Sequence, residues 1–381
     1  MVADRKDAPN YGGMAPLVRL IEKEGPYINR IARTLGESKD SVRYRYRHAI
    51  LKNGFRIQAK PNYERLGMKR LILLGDLGDE WRANEARLST FLNENCYFVN
   101  FNRTLLDSRV LANVSIPPRF VDQFTRLLSE LASRNVLHVE DTYSFDSFRN
   151  PPMRAEYYDF DRDRWDFDWG SHADTALEGA ERPDPEQASF SYEDLLIIKE
   201  LQIDATRSLT EIARKLKLEY KRVLRRFQHI EAEGLIRGYR VIWSKDAVDL
   251  KRNLIPTPKH RYLPIFFLVR NTTTAEAGRL MAASARFPYL SAEAIGKDYF
   301  AQAFIPREQI TEGLKYVTDL AEQTKERTEF GFVDFEHSRV FTIPYQMFDQ
   351  DARQWTFNPQ GVLEGLEQMK LVRKEKVRQS Q

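Results

Sequence analysis

The stretch from residue 208 to residue 239 reads SLTEIARKLKLEYKRVLRRFQHIEAEGLIRGY, and it gives the first indication of the fold. Ser208 and Glu211 have the spacing of a capping box, in which each side chain bonds the backbone N–H of the other residue, so a helix is predicted to begin there. Residues 217–219 interrupt the apolar spacing that follows. The pattern predicts two helices joined by a short turn, which is a helix-turn-helix motif.

The second of these predicted helices is both amphipathic and basic. Val223, Phe227 and Ile230 are spaced i, i+4, i+7 and form one buried face, and Gly234 is a suitable C-cap. Lysine and arginine on the opposite face can neutralise phosphates, and arginine can also bind guanine in the major groove. The residues predicted to contact DNA are Tyr220, Lys221, Arg222, Arg225 and Arg226.

The chain contains this arrangement twice. The matching segments are 31–35 with 212–216, 116–117 with 305–306, and 158–167 with 348–357. Three matches in the same order predict two tandem units. A basic helix face that meets only solvent is the alternative to a DNA contact, and its recurrence at equivalent positions favours DNA. In the first unit the predicted DNA contacts are Lys39, Ser41, Arg43, Tyr44, Arg45 and Arg47.

After each helical part, the apolar runs follow the order strand–helix–strand–strand–helix–strand, with the last strands predicted at 136–143 and 330–335. This order predicts a ferredoxin-like βαββαβ domain with one open sheet face. The predicted fold is α+β, with two winged-helix or helix-turn-helix domains and two ferredoxin-like domains in tandem. The predicted boundaries are 14–62 and 191–246 for the helix-turn-helix domains, 66–150 and 260–345 for the ferredoxin-like domains, 151–190 for an acidic, aromatic strap and linker, and 346–381 for a second strap with a basic tail.

Composition excludes several classes of protein. The 59 Lys and Arg residues against 55 Asp and Glu give a net charge of +4, which permits nucleic-acid binding without requiring it. Cys96 is the single cysteine, which excludes an intramolecular disulfide and multi-cysteine metal sites and fits a reducing cytoplasm. No run of about 18 uncharged apolar residues is present, so no transmembrane helix is expected.

The motifs of common enzyme classes are absent from the sequence. It contains no phosphate loop, paired-glycine nucleotide fingerprint, His-Glu-x-x-His motif or nucleophile elbow. Its six histidines are not grouped at metal-ligand spacing. We therefore expect a protein that is not an enzyme and that has no metal site and no cofactor.

Residues 226–239 resemble the end of the recognition helix and the following strand of the leucine-responsive regulatory protein/AsnC (Lrp/AsnC) family. Arg226, Gly234, Gly238 and Tyr239 fall on the arginine, glycines and tyrosine of the family pattern. The resemblance covers most of unit two and, more weakly, unit one. It implies a DNA-binding regulator whose α/β domains dimerise. Because the family usually has one unit per chain, the two units here are expected to pair as an intrachain pseudo-dimer, and a homodimer of whole chains stays open.

The resemblance also implies an effector site in unit two. Gly296, Lys297, Asp298 and Tyr299 lie between the second and third predicted strands, where the family commonly has glycine-x-x-aspartate. A small molecule such as an amino acid is the expected effector. Residues 102–105 of unit one lack the glycine, so unit one is not expected to bind an effector in this way.

The leading interpretation is a cytoplasmic, nucleoid-associated transcriptional regulator that binds double-stranded DNA. Its two recognition helices differ in sequence, so its preferred site is expected to be asymmetric. One alternative is a chromatin-organising protein with little sequence preference. A second is an enzyme similar to sirohaem decarboxylases, which reuse this architecture, sometimes in tandem. Those enzymes carry histidine and arginine around the loop between strands two and three, and neither loop here contains histidine.

Overall fold

A computed structural model describes residues 14–51, 54–160, 162, 164–169, 187–243, 261–322 and 327–379. The first unit consists of α1 (Met14–Glu24), α2 (Ile28–Leu35), α3 (Lys39–Arg45), β1 (Phe55–Pro61), β2 (Lys69–Leu77), α4 (Asp79–Arg82), α5 (Glu85–Cys96), β3 (Phe98–Thr104), β4 (Val110–Ile116), α6 (Val121–Ser133), β5 (Leu137–Arg149), β6 (Tyr158–Asp159) and β7 (Arg164–Trp165). A π-helical turn (Tyr46–Leu51) follows α3 directly.

The second unit repeats this order. It consists of α7 (Tyr192–Ile203), α8 (Leu209–Leu216), α9 (Tyr220–Ala232), β8 (Ile236–Trp243), β9 (Tyr262–Val269), α10 (Thr274–Ser284), β10 (Tyr289–Gly296), β11 (Tyr299–Pro306), α11 (Ile310–Glu322), β12 (Thr328–Val340), β13 (Phe348–Asp349), β14 (Gln354–Trp355) and α12 (Pro359–Gln379). No helix among the described residues is long and apolar enough to cross a membrane.

The helix-turn-helix geometry follows from local sequence signals. Ser208 and Glu211 form the predicted capping box at the start of α8. Three residues then separate α8 from α9, and the first of them, Lys217, has a left-handed backbone with φ of 56°. Gly36, at the same place after α2, has φ of 66° without the strain that a Cβ would add. Each unit therefore contains two helices joined by a three-residue turn, as predicted.

The two α/β domains form one closed barrel, and this confirms the predicted fold class and the intrachain pseudo-dimer. The strand order is β10-β11-β9-β12-β3-β4-β2-β5, in which each unit contributes four antiparallel strands in ferredoxin-like order. β12 pairs with β3 across one seam, and β5 pairs with β10 across the other. A closed barrel leaves no strand edge exposed for pairing with other chains.

Both predicted last strands were too short. They were placed at 136–143 and 330–335, whereas β5 continues to Arg149 and β12 to Val340. The additional residues are the ones that cross the seams, since Arg149 pairs with Glu293 and Val340 pairs with Asn100. Pairing with the other unit stabilises a strand segment that local hydrophobic periodicity does not mark.

The strands that follow the recognition helices pair with each other. β1 and β8 form an antiparallel two-stranded ribbon between the units, with Lys60 opposite Gly238. Gly238 has φ of +151°, and a Cβ there would lie 2.8 Å from the carbonyl oxygen of Glu22. Glycine at this position therefore allows α1 of one unit to lie directly on the strand of the other unit.

The aromatic straps cross between the units. Trp165 Nε1 donates to the Tyr262 hydroxyl at 3.1 Å, so the strap of unit one packs on the barrel strands of unit two. Trp355 Nε1 donates to the Leu66 carbonyl at 2.8 Å and its ring packs on Tyr97, so the strap of unit two packs on unit one. Positions 161, 163 and 170–186 of the predicted strap and linker lie outside the described residues.

Replacing Trp355 tests the contribution of this crossed strap. Trp355→Ala removes a buried indole and its hydrogen bond, and we expect the free energy of unfolding to fall by about 3–5 kcal/mol. Asp351→Ala, at an exposed position of the same strap, should change it by less than about 0.5 kcal/mol. Urea unfolding followed by circular dichroism measures both. Equal effects of the two variants would contradict the packing described here.

Candidate nucleic-acid interface and interior cavity

The recognition helix of unit two presents a basic, partly aromatic surface. Tyr220 is 47% exposed, and Lys221 and Arg225 are exposed beside it. Neither cation forms an ion pair with any residue that the structure describes. Arg222 is exposed as well, but its Nε donates to Glu193 at 2.9 Å. Two cations and one aromatic side chain of this helix are therefore available to a partner.

The recognition helix of unit one has the same character. Tyr44 is 64% exposed and lies 4.3 Å, centroid to centroid, from the His48 ring. Lys39 and Arg47 are exposed and have no ion pair within the described part of the chain. The other predicted contacts have partners inside the unit, since Arg43 pairs with Asp40, Arg45 pairs with Glu37, and the Ser41 hydroxyl donates to Glu37.

Arg226 differs from its neighbours because it is held inside the domain. Its guanidinium pairs with Asp194, which is fully buried, and donates to the Ser191 hydroxyl at 2.8 Å. Asp194 in turn completes the capping box of α7 with Ser191. The side chain thus joins α9 to the start of α7. DNA contact by Arg226 stays a prediction, and the contacts in the structure give it a structural role.

The predicted effector residues form the turn between β10 and β11. Lys297 is exposed, and the Asp298 carboxylate accepts the Asn271 backbone N–H at 2.9 Å. Tyr299 is buried in the core, where its hydroxyl bonds Glu293 and Ser284. Burial raises the pKa of this hydroxyl well above its ordinary value. Gly296 lies against β5, where a Cβ would be 3.1 Å from the Ser144 carbonyl oxygen. An effector site here stays a prediction.

A polar cavity of about 120 Å³ lies between the β1–β8 ribbon and the inner face of the barrel. Residues from both units line it. Three cations contribute, namely Lys60, Arg70 and Arg240, and no Asp or Glu is among the described lining residues. The amide side chains that line it are Gln58, Asn100, Asn102, Asn113, Asn150, Gln202 and Gln302.

Glu22 is a buried carboxylate beside this cavity. It accepts backbone N–H groups from Val241 at 3.1 Å and from Met153 at 3.0 Å, so it joins α1 to β8 and to the start of the first strap. Burial raises its pKa to about 7, opposed by the nearby charge of Lys60. On α7 of unit two, Gln202 accepts the Ile343 N–H at 2.8 Å in the equivalent way, without a charge.

The cavity was not predicted from the sequence. A signal was present in β3, where Asn100 and Asn102 alternate with Phe101, since buried strands of a ferredoxin-like sheet usually carry apolar residues on both faces when both are covered. The pairing of Asn100 with Asn113 joins two of these amides on one face. The cations Lys60, Arg70 and Arg240 could not be grouped from the sequence, because they lie on three different strands, β1, β2 and β8. No cluster of metal-ligating side chains occurs among the described residues.

Comparison with known proteins gives similar structures but no family. No protein-family model matches the chain, and no curated protein sequence matches it. The siroheme decarboxylase NirDL, crystallised with an iron-uroporphyrin III analogue, is similar over 87% of this chain and 94% of its own, with 13% identity and a TM-score of 0.48. LrpC from B. subtilis is similar over 39% of this chain and 95% of its own, with 21% identity and a TM-score of 0.26. PH0061 is similar over 38% of this chain and 93% of its own, with 16% identity and a TM-score of 0.29. These similarities concern the fold alone.

The prediction that the chain is not an enzyme is wrong. It relied on the absence of motifs for nucleotide binding, metal-dependent hydrolysis and serine hydrolysis. Two structures similar to this chain, with and without the bound analogue, are those of a decarboxylase. The absent motifs belong to other reaction types, so their absence does not exclude catalysis.

A comparison of Arg226 with its neighbour Arg225 tests the structural role of Arg226 without any measurement of DNA binding. Arg226→Ala leaves Asp194 buried without its cation, and we expect the free energy of unfolding to fall by about 3 kcal/mol. Arg225→Ala removes an exposed charge from the same helix and should change it by less than about 0.5 kcal/mol. Urea unfolding of the two variants measures the difference. A fully stable Arg226→Ala protein would show that the ion pair contributes nothing.

Glu22 predicts a pH dependence of stability. Its folded pKa of about 7 lies above its ordinary value of 4.5, so its contribution is complete below pH 4.5 and is lost as the pH rises through 7. This loss amounts to roughly 3 kcal/mol. Glu22→Gln, which places the amide of Gln202 in unit one, removes the titrating carboxyl. Between pH 5 and pH 8 the free energy of unfolding of the variant should therefore rise relative to that of the natural chain. Urea unfolding at several pH values measures this difference. If the free energies of unfolding of the two proteins differ by the same amount at every pH, the raised pKa of Glu22 is contradicted.

Proposed function

We propose that this chain is a sequence-specific, double-stranded DNA-binding regulator that uses α3 and α9 as recognition helices. One observation carries the proposal: each unit presents a helix whose exposed cations have no ion pair within the described part of the chain. They are Lys39 on α3 and Arg47 in the π-helical turn that continues it in unit one, and Lys221 and Arg225 on α9 in unit two. Cations that no described carboxylate pairs with, on a helix after a three-residue turn, suit contacts to backbone phosphates.

Two exposed aromatic residues support the same assignment. Tyr44 and Tyr220 rank among the most exposed large hydrophobic side chains of the described chain, and each stands on a recognition helix. A solvent-exposed aromatic ring beside cations favours a contact surface, because phenol hydroxyls bond phosphate oxygens and rings pack on sugars and thymine methyl groups.

The proposed site on DNA is asymmetric. Unit one has Lys39, Tyr44 and Arg47 on its exposed face, whereas unit two has Tyr220, Lys221 and Arg225 at different positions along the helix. A symmetric dimer of single-unit regulators has two identical recognition helices, one from each chain. Here one chain carries both recognition helices, and they differ in sequence.

Paired charge removal tests the proposal. The Lys221→Ala/Arg225→Ala protein and the Lys39→Ala/Arg47→Ala protein should each bind DNA at least tenfold more weakly at 0.15 M salt. Each should also show a salt slope that is shallower by about 1 to 2, at roughly 0.9 for every phosphate that the variant no longer neutralises. Arg279→Ala/Lys315→Ala removes the same net charge from the exposed faces of α10 and α11 and serves as the control. Fluorescence anisotropy with a labelled duplex at several salt concentrations measures all three.

The pattern of results distinguishes the alternatives. Equal weakening by the control pair would mean that net charge alone drives binding, which contradicts recognition through α3 and α9. Loss of affinity in both helix variants, without any preference of the natural chain among duplex sequences, would favour the chromatin-organising alternative. Unchanged affinity and salt slope in both helix variants would overturn DNA recognition by these helices.

Catalysis on an acid-bearing small molecule is a second candidate function, favoured by the three cations that line the interior cavity. The siroheme decarboxylase structure above contains an iron-uroporphyrin III analogue, so this macrocycle is the probe. A saturable change in its visible absorption on titration with the protein would favour this candidate. An unchanged spectrum would count against a tetrapyrrole substrate.

A further inference from the structure

We propose that the cavity between the β1–β8 ribbon and the barrel is a binding site for a small organic dicarboxylate. Its anchors are Arg70, Arg240 and Lys60, which come from β2, β8 and β1. The site lies where both units meet, and it is distinct from the predicted effector turn at 296–299. The inference concerns a small molecule and does not depend on whether the chain binds DNA.

The balance of charge around the cavity is positive. Three cations line it, and Glu22 is a carboxylate close enough to act on Lys60 and Arg240 electrostatically. Glu64 acts on Arg70 but is already ion-paired with Arg237 at 3.0 Å. Arg70 and Arg240 place two guanidinium groups at the cavity. Two carboxylates of one ligand can pair with them, and buried charge is costly unless it is paired.

Two N–H donors at the cavity are buried and lack a hydrogen-bond partner in the described part of the chain. They are Nε of Arg70 and Nε of Arg240. Burial also lowers the pKa of Arg70. Buried donors in native proteins are almost always bonded, so each of these calls for an acceptor. Carboxylate oxygens are the acceptors that guanidinium groups bind most strongly.

Arg70 is fixed in orientation by aromatic rings. Its guanidinium carbon lies 4.1 Å from the centroid of the Tyr63 ring and 3.9 Å from that of Phe148. Because rings cover its flat surface, the guanidinium offers its N–H edge to a ligand. A guanidinium fixed in this way loses little conformational entropy on binding a carboxylate, which increases affinity.

The rest of the lining suits a short carbon chain with polar ends. Asn100 and Asn113 provide side-chain amides, whose NH2 groups can donate to a carboxylate. Val340, Phe341 and Ile242 provide apolar contacts. The volume of about 120 Å³ far exceeds the roughly 10–15 Å³ that one water requires. It is below the roughly 300–1,000 Å³ of pockets for drug-sized ligands, so the ligand that fits whole is a small diacid, and only the acid side chains of a macrocycle could enter.

Calorimetric titration of the full chain with succinate at constant ionic strength tests the proposal. We expect saturable binding of one succinate per chain, together with a higher melting temperature, since a ligand that binds only the folded state stabilises it. Succinamide has the same carbon skeleton without charge and should do neither. Succinate, 2-oxoglutarate and citrate form the panel of acids, and sulfate reports whether any dianion is sufficient.

Variants locate the bound acid. Arg240→Gln should weaken succinate binding at least tenfold, whereas Arg279→Gln, an exposed arginine on α10, should leave it unchanged. Lys60→Met is the second variant, so that the conclusion does not depend on the folding of Arg240→Gln. The proposal is overturned if no acid of the panel binds at 10 mM, if sulfate binds as tightly as the acids, or if folded Arg240→Gln and Lys60→Met proteins bind succinate like the natural chain.

Discussion

Edge-to-edge pairing of the two units holds the barrel, the ribbon and the cavity in place. A ferredoxin-like sheet alone has two free edges and one uncovered face. In this chain β12 pairs with β3, and β5 pairs with β10, so the edges of each unit are covered by the other. The β1–β8 ribbon adds a third pairing between the units, and the crossed straps add buried aromatic contacts. The closed barrel therefore requires the strands of both units.

The same pairing explains why polar groups are buried between the units. Glu22 joins α1 of one unit to β8 of the other through the Val241 N–H. It also accepts the Met153 N–H within its own unit, and Gln202 accepts the Ile343 N–H in the equivalent way in unit two. In a duplicated chain a residue of one unit can change while its equivalent in the other unit stays the same. Here unit one carries the carboxylate of Glu22 where unit two carries the amide of Gln202. The cavity lies on this interface, and its three cations come from strands of both units. A site of this kind has no counterpart within a single unit.

The sequence predicted the local elements well, and its family resemblance implied that the units pair, but it did not predict which residues make the contacts between them. Capping residues, the three-residue turns and the strand–helix order depend on neighbouring residues, so Ser208, Glu211 and the spacing after Val223 were sufficient to predict the helix-turn-helix. The extensions of β5 and β12 depend on a partner strand far away in the chain, which periodicity does not report. The distinction between Arg225 and Arg226 was also beyond the sequence, because it depends on Asp194, which lies 32 residues from Arg226. The cavity was missed for the same reason, since Arg70 and Arg240 meet only through the fold.

Two different helices of one chain are proposed to bind one asymmetric stretch of DNA. The decisive measurement is selection of bound fragments from a random pool of duplex DNA, followed by comparison of the affinities for the winning sequence and for a scrambled one. We expect an asymmetric consensus that is preferred by roughly 10³-fold or more, the lower range for specific binding. A palindromic consensus, or equal affinity for the scrambled duplex, would contradict the proposal.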